Sequence, residues 1–460
     1  MTTTVTPTEL RARFAITLSG LYGREVPAYQ TLVEVSHGVN RDVAARLGAG
    51  AERLGSLDRV TAERHGAIRV GTPAEMAQVA RIFAAMGMHP AGYYDLRDAS
   101  ASSVPVVSTA FRPLERDELA ANPFRVFTSV LAATDRRFFS ADLSARLQAF
   151  LATRQLFAPW LLTLADRALA DGGLTPDDAE EFLTLAARSF ALSTEPIDRA
   201  WYAELEQVSA VAADIGGVTS THINHLTPRV LDIDALYERM SERGITMIDA
   251  IQGPPGWDGP DVLLRQTSFK ALAEPRHFRE PDGTVSEGSL RVRFGEVEAR
   301  GIALTRAGRA VYDRALADLD ATGGDPAEVW ARHFPGNEAE LFNQGLGVYT
   351  VRVAEDRPRD GGRPSGSVEE LLRDGWLRAE PVVYEDFLPR SAAGIFQSNL
   401  DEAGSKDTQV EGADLDAVWL EGVLERTLND PFELYAREHR ASVDAACREL
   451  GVPTPAPADA

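Results

Sequence analysis

The chain has 460 residues, of which 44% are apolar, with 69 acidic against 47 basic side chains and a net charge of −22. That apolar share supports a sizeable core and excludes a disordered chain. The acidic surface repels phosphate backbones and anionic lipid, which argues against nucleic acid and membranes as partners and means that an anionic ligand needs a local basic group. Cys447 is the single cysteine, so internal disulfides and thiolate metal clusters are excluded. The opening stretch "MTTTVTPTEL" lacks the basic and apolar regions of a signal peptide, and no apolar run is long enough to span a bilayer. We therefore expect a cytoplasmic protein.

The first fifty residues read as helix, with apolar positions at helical spacing through "ELRARFAITLSGLYG" and "YQTLVEV". "GAIRVGT" (66–72) is short, β-branched and bounded by glycines, and predicts a strand. The next segment opens with a full helix start signal: Thr72 as N-cap, Pro73 at the first helical position and Glu75 closing a capping box. "HPAGYYDL", "VPVVSTAF" and "FRVFTSVL" are the following strand candidates, ending near 131. From 133 to 213 three amphipathic segments follow one another with no strand signal between them, which predicts an inserted helical layer. Strand-like segments return at "LLRQTSFKAL" (263–272), "LRVRFGEVEA" (290–299) and "PVVYEDFL" (381–388), with polar helical or Gly/Pro-rich stretches between them. The expectation is a single α+β domain over residues 1–450, with a disordered tail over 451–460.

No Walker loop, G-x-G-x-x-G after a strand, G-x-S-x-G elbow or H-E-x-x-H occurs. What remains is histidine and carboxylate scattered among strand-like segments, the appearance of a two-histidine, one-carboxylate iron site. His65 alone reads as a hydrogen-bonded strand-end histidine. Arg69 alone reads as a surface salt bridge, but the even spacing of four puts both on one strand face, about 13 Å apart. "THINHLTPR" (221–229) ends at a proline and carries Thr and Ile, which favours extended structure. His222 and His225 then face opposite ways, and one of them at most joins a given site. Glu296 and Glu298 share a face on a regular strand, and parity does not choose between them. His37, His89, His277, His333 and His439 have no such company.

Together, "ERHGAIRVGT", "MGMHPAGYYDL", "PFRVFTS", "HINHLTPRVLDID", "LLRQTSFKAL", "RFGEVEARGIALT", "VYEDFLP" and "SAAGIFQSNL" resemble the 2-oxoadipate dioxygenase/decarboxylase family, also called D-2-hydroxyglutarate synthases, from about residue 8 to 450. The resemblance implies a vicinal-oxygen-chelate-like curved sheet around a metal site. It also implies an Fe(2+)-dependent enzyme that converts 2-oxoadipate and O2 to D-2-hydroxyglutarate and CO2 in lysine catabolism. By the same resemblance the iron ligands fall on His65, His225 and Glu296, which also contact substrate. The substrate-binding arginine falls on Arg69, and a further substrate contact just after "DFLP" falls on Arg390. A zinc hydrolase or lyase, or a non-catalytic binder of small acids, is the alternative on the same scaffold.

Overall fold

The computed structural model describes residues 4–98, 104–291, 293–358, 364–400, 406–407 and 409–454. Twelve strands are defined among them: β1 (Arg64–Val70), β2 (His89–Asp95), β3 (Val106–Arg112), β4 (Arg125–Leu131), β5 (Ile197–Asp198), β6 (Ile223–Pro228), β7 (Leu264–Phe269), β8 (Glu274–Arg279), β9 (Val285–Leu290), β10 (Gly295–Arg300), β11 (Tyr349–Val353) and β12 (Leu377–Pro381). The α+β class, with sheets curved about the site, is the architecture the sequence resemblance implies.

The central sheet has the order β2-β3-β4-β1-β6. β1 runs parallel to β4 and antiparallel to β6. Its parallel pairing requires a crossover, and helix Pro73–Ala84 begins it with the Thr72 capping box and first-turn proline expected from the sequence. That helix buries Met76, Val79, Ile82 and Phe83 in the same core as Ile68 and Val70 of β1. Strand alternation sends Ala67 into a second core on the other face, with Ala110 of β3 and Phe127 of β4. His65 and Arg69 have the parity of Ala67. Polar groups therefore enter from the second face, while the first face is closed by apolar packing.

β6 continues the sheet and joins it to a second one. Helix Ile233–Glu242 follows it, and β7 and β10 then pair antiparallel. The amide of Val230 donates to the carbonyl of Glu298, which ties the end of β6 to β10 in parallel. Gly295 allows this register: a Cβ there would stand 1.9 Å from a ring carbon of Phe269, its partner on β7. Glu296 follows immediately, so the close approach helps set where its carboxylate emerges.

The helical insertion is observed as helices Ala141–Leu151, Pro159–Asp171, Pro176–Ser189, Arg199–Glu206 and Ala210–Gly216. Two-residue β5, which pairs with β8, interrupts it where the sequence showed no strand signal. Three other expectations are corrected. "LRVRFGEVEA" is two strands, because β9 ends at Leu290 and β10 begins at Gly295. "PVVYEDFL" makes a single bridge, Val383 to Ile302, rather than a strand; β12 ends at its first residue. The β8–β9 hairpin lies in a stretch read as a connection, since β8 buries Arg276 and Phe278 between exposed residues, β9 alternates exposed and half-buried positions, and both carry few β-branched residues. Among the described residues no helix is long and apolar enough to cross a membrane. The tail from 455 onward lies outside the described residues.

Candidate metal centre

β1 presents His65, β6 presents His225 and β10 presents Glu296, and one ligand atom from each lies within 4.8 Å of the others. All three side chains are buried. Nε2 of His65 lies 3.5 Å from Oε1 of Glu296, and Nε2 of His225 lies 3.5 Å from its Oε2. That spacing is long for a direct hydrogen bond and suits two ligand atoms that share one ion at about 2.1 Å. Two imidazoles and a carboxylate are the donor set of a non-haem Fe(II) face, so the residues fit the implied metal.

The other ring nitrogens have partners too. Nδ1 of His225 lies 3.0 Å from Oγ1 of Thr227, and donation to that hydroxyl leaves the Nε2 lone pair for a metal. Burial, with His65 and Arg69 nearby, pushes His225 well below the usual imidazole range, so the ring is neutral. Nδ1 of His65 lies 3.0 Å from Oε2 of Glu298. Burial opposes protonation of His65, but Glu298 and Glu296 outweigh it and raise its pKa. Burial raises Glu296, partly offset by His65, while its Oε1 accepts from the Gln266 amide.

Glu298 belongs to a buried ionic network behind His65. Burial alone would raise its carboxyl, yet Arg300, His65 and Arg125 bring it down to about 2. Arg300 grips it through Nε at 2.7 Å and Nη2 at 2.9 Å. Arg125 reaches Glu298 at 3.4 Å and Glu63 at 2.8 Å, Arg229 reaches Glu63 at 2.9 Å, and Glu385 pairs with Arg59 and Arg125. Each member faces opposite charge, which offsets part of the cost of burying these ions. Parity alone left Glu296 and Glu298 equivalent; the structure separates them, one against both Nε2 atoms and the other behind His65.

Aromatic rings enclose the cluster. Phe387 meets the His65 ring edge-on at 5.0 Å, Phe294 stacks on His225 at 5.4 Å, and Phe127 packs on Phe387 at 5.1 Å. Arg69 is buried on the His65 face of β1, and its Nη1 donates to Oδ2 of Asp214 at 2.5 Å. The salt bridge expected for Arg69 at the surface is thus a buried pair. His222 precedes β6, with Nε2 3.3 Å from Oδ1 of Asp214 and 3.1 Å from Nδ2 of Asn224, outside the cluster. The register of β6 against β1 shifts between Ile223 and His225, so the opposite facing expected from regular strand parity does not account for the separation of the two histidines. Arg390 is not brought to the cluster by its side chain: the guanidinium is more than half exposed and bonds Asp320 at 2.8 Å and 2.9 Å. Asp214, Gln266 and Phe387 were not singled out by sequence reasoning, and Glu298 entered it as an alternative to Glu296 among the ligands.

Two imidazoles and a carboxylate on one buried face, with a guanidinium held on the same strand, define a candidate mononuclear metal centre for a small acid. A sequence profile of the 2-oxoadipate dioxygenase/decarboxylase family matches residues 14–399. Relatives of that name include one from Mycobacterium tuberculosis, 60% identical over 435 residues, covering 94% of this chain and 97% of the relative. Another, from Pseudomonas putida, is 41% identical over 468 residues, covering 97% and 98%. The crystal structure of the Pseudomonas putida hydroxyglutarate synthase in complex with 2-oxoadipate superposes with a TM-score of 0.85 at 39% identity, covering 98% of this chain and 99% of that one. The chain belongs to the 2-oxoadipate dioxygenase/decarboxylase family.

Proposed function

We propose that the chain is an Fe(II)-dependent enzyme that converts 2-oxoadipate and O2 to D-2-hydroxyglutarate and CO2 in lysine breakdown. The observation that carries this reading is the convergence of His65, His225 and Glu296 on β1, β6 and β10, with Arg69 on the same face as His65. Iron bound there would supply the electron transfers by which dioxygen reacts with a 2-oxo acid.

The chain's own groups do the rest. Neutral His225 offers Nε2 because Thr227 occupies its other nitrogen, and His65 offers Nε2 because Glu298 faces its Nδ1. Glu296 offers a carboxylate oriented by Gln266. Arg69 would take the distal carboxylate of the diacid in a planar, charge-assisted contact that lysine cannot reproduce. Phe127, Phe294 and Phe387 line the cluster with apolar surface that limits water. Any contact from the segment around Arg390 would come through its backbone, since the side chain is turned to Asp320.

The overall change balances: the six-carbon acid loses its first carbon as CO2, the former keto carbon becomes a carboxylate, and the next carbon gains a hydroxyl. One oxygen atom enters each of those two groups, and the substrate supplies all four electrons. Metal analysis with oxygen uptake tests the reading. Iron with 2-oxoadipate-dependent uptake supports it; zinc with turnover and no uptake replaces it with a hydrolase or lyase; binding without turnover leaves a binding protein.

A further inference from the structure

Arg69 has a long, flexible side chain, yet the proposed reaction needs it to measure a distance. A diacid anchored at the cluster differs from its homologue one carbon shorter by about 1.3 Å of reach. An unrestrained arginine carries about 2 kcal/mol of rotamer freedom and can follow a shorter ligand across such a gap. Selectivity for chain length therefore requires something that holds the guanidinium still.

The structure holds it at both ends. Oγ1 of Thr221 donates to the backbone carbonyl of Arg69 at 2.6 Å, and Nη1 of Arg69 donates to Oδ2 of Asp214 at 2.5 Å. Asp214 is itself fixed. It is buried on helix Ala210–Gly216, whose first turn is capped by Ser209, and Oδ2 also accepts from Nδ2 of Asn224 at 3.0 Å. His222 stands 3.3 Å from the other oxygen. Burial, relieved in part by Asp214 and reinforced by Arg293, Arg69 and Arg276, brings His222 down to about 4, so it backs the carboxylate as a neutral ring at physiological pH.

We infer that Asp214, fixed by Asn224 and backed by His222, is a positioning residue that locks the Arg69 guanidinium and sets the chain length of the 2-oxo diacid accepted. This rests on the reading of Arg69 as the distal-carboxylate clamp. Asp214 has a competing role to be separated from this one: it could be a placeholder that leaves Arg69 when substrate arrives. A placeholder competes with substrate, and its removal tightens binding. A lock orients, and its removal loosens binding and blurs length selection.

The test compares 2-oxoadipate with 2-oxoglutarate, two diacids of equal charge, so that the general effect of removing a carboxylate cancels in their ratio. Wild-type, Asp214→Asn, Asn224→Ala and Arg69→Met enzymes are loaded with iron. Iron content, thermal melting, kcat/KM for both acids and anaerobic calorimetric binding of both acids are then measured. Losing one charge-assisted hydrogen bond corresponds to roughly a tenfold change. In Asp214→Asn the ratio of kcat/KM for 2-oxoadipate over 2-oxoglutarate is expected to fall about that much, and the ratio of binding constants to fall with it. Asn224→Ala shifts both ratios the same way, and it decides the matter if Asp214→Asn does not fold. Unchanged ratios in a folded, iron-replete variant, or tighter binding of 2-oxoadipate, overturn the inference. If Arg69→Met keeps wild-type kcat/KM for 2-oxoadipate, it is the clamp reading itself that fails.

Discussion

Oε2 of Glu298 lies 3.0 Å from Nδ1 of His65, on the side of the imidazole away from Glu296, whose Oε1 lies 3.5 Å from Nε2. One strand thus supplies both a carboxylate of the candidate metal cluster and a carboxylate placed to orient His65. Such outer partners fix ring orientation and raise ligand basicity, and their loss typically costs about 10–100-fold in metal affinity. Glu298→Gln is expected to weaken iron binding by about that factor in a chelator competition. It should also lower the melting temperature, because Arg300 and Arg125 lose a buried counter-charge. Wild-type iron affinity in the variant would remove Glu298 from the site.

The two histidines of "HINH" should separate cleanly. His225→Ala and Glu296→Ala are each expected to abolish stoichiometric iron binding and turnover, while His222→Ala leaves iron content largely intact. Metal analysis of the purified variants checks this. Loss of iron in His222→Ala with retention in His225→Ala would contradict the assignment of β6.

Arg69→Met should keep its iron and lose activity. Removing a buried, charge-assisted contact lowers kcat/KM for 2-oxoadipate by about two orders of magnitude or more. Steady-state kinetics on the iron-loaded variant measure the drop, and a value near wild type would place the diacid elsewhere.

Gly295 makes a prediction about how the fold sets the ligand. Its missing Cβ would stand 1.9 Å from the Phe269 ring, so Gly295→Ala forces β10 and β7 apart beside Glu296. Overpacking of this kind costs about 1–3 kcal/mol. A lower melting temperature and reduced iron occupancy are expected. Gly336→Ala, where nothing lies within 4 Å of the added carbon, serves as the control.

Much of this site is visible in the sequence because strand parity is a local rule. The spacing of His65 and Arg69 places both on one face of β1. His222 does stand apart from the cluster, but it precedes β6 and the strand's register shifts between Ile223 and His225, so the fold and not regular alternation separates the two histidines. Parity has no information about what packs opposite a strand. It could not tell Glu296 from Glu298, since the difference lies in contacts with His225 from β6 and with Arg125 from β4. Asp214 was invisible for the same reason: its partner Arg69 is 145 positions away. The bonds of Arg390 to Asp320, on helix Arg306–Thr322, are likewise made by the fold and not by the local motif. The β8–β9 hairpin escaped notice because its strands are rich in polar and charged residues and lack the short β-branched run bounded by glycines that marks β1.

In the proposed reaction the diacid is both the precursor of the hydroxylated product and the source of all four electrons for dioxygen. The direct measurement is oxygen uptake by the iron-loaded protein with 2-oxoadipate as its single organic substrate, run in labelled dioxygen. One O2 consumed and one CO2 and one 2-hydroxyglutarate formed per 2-oxoadipate are expected. One labelled atom should appear in the new carboxylate and one in the hydroxyl, the latter reduced by any solvent exchange. A requirement for added 2-oxoglutarate, with stoichiometric succinate formed as a second molecule is hydroxylated, would contradict it.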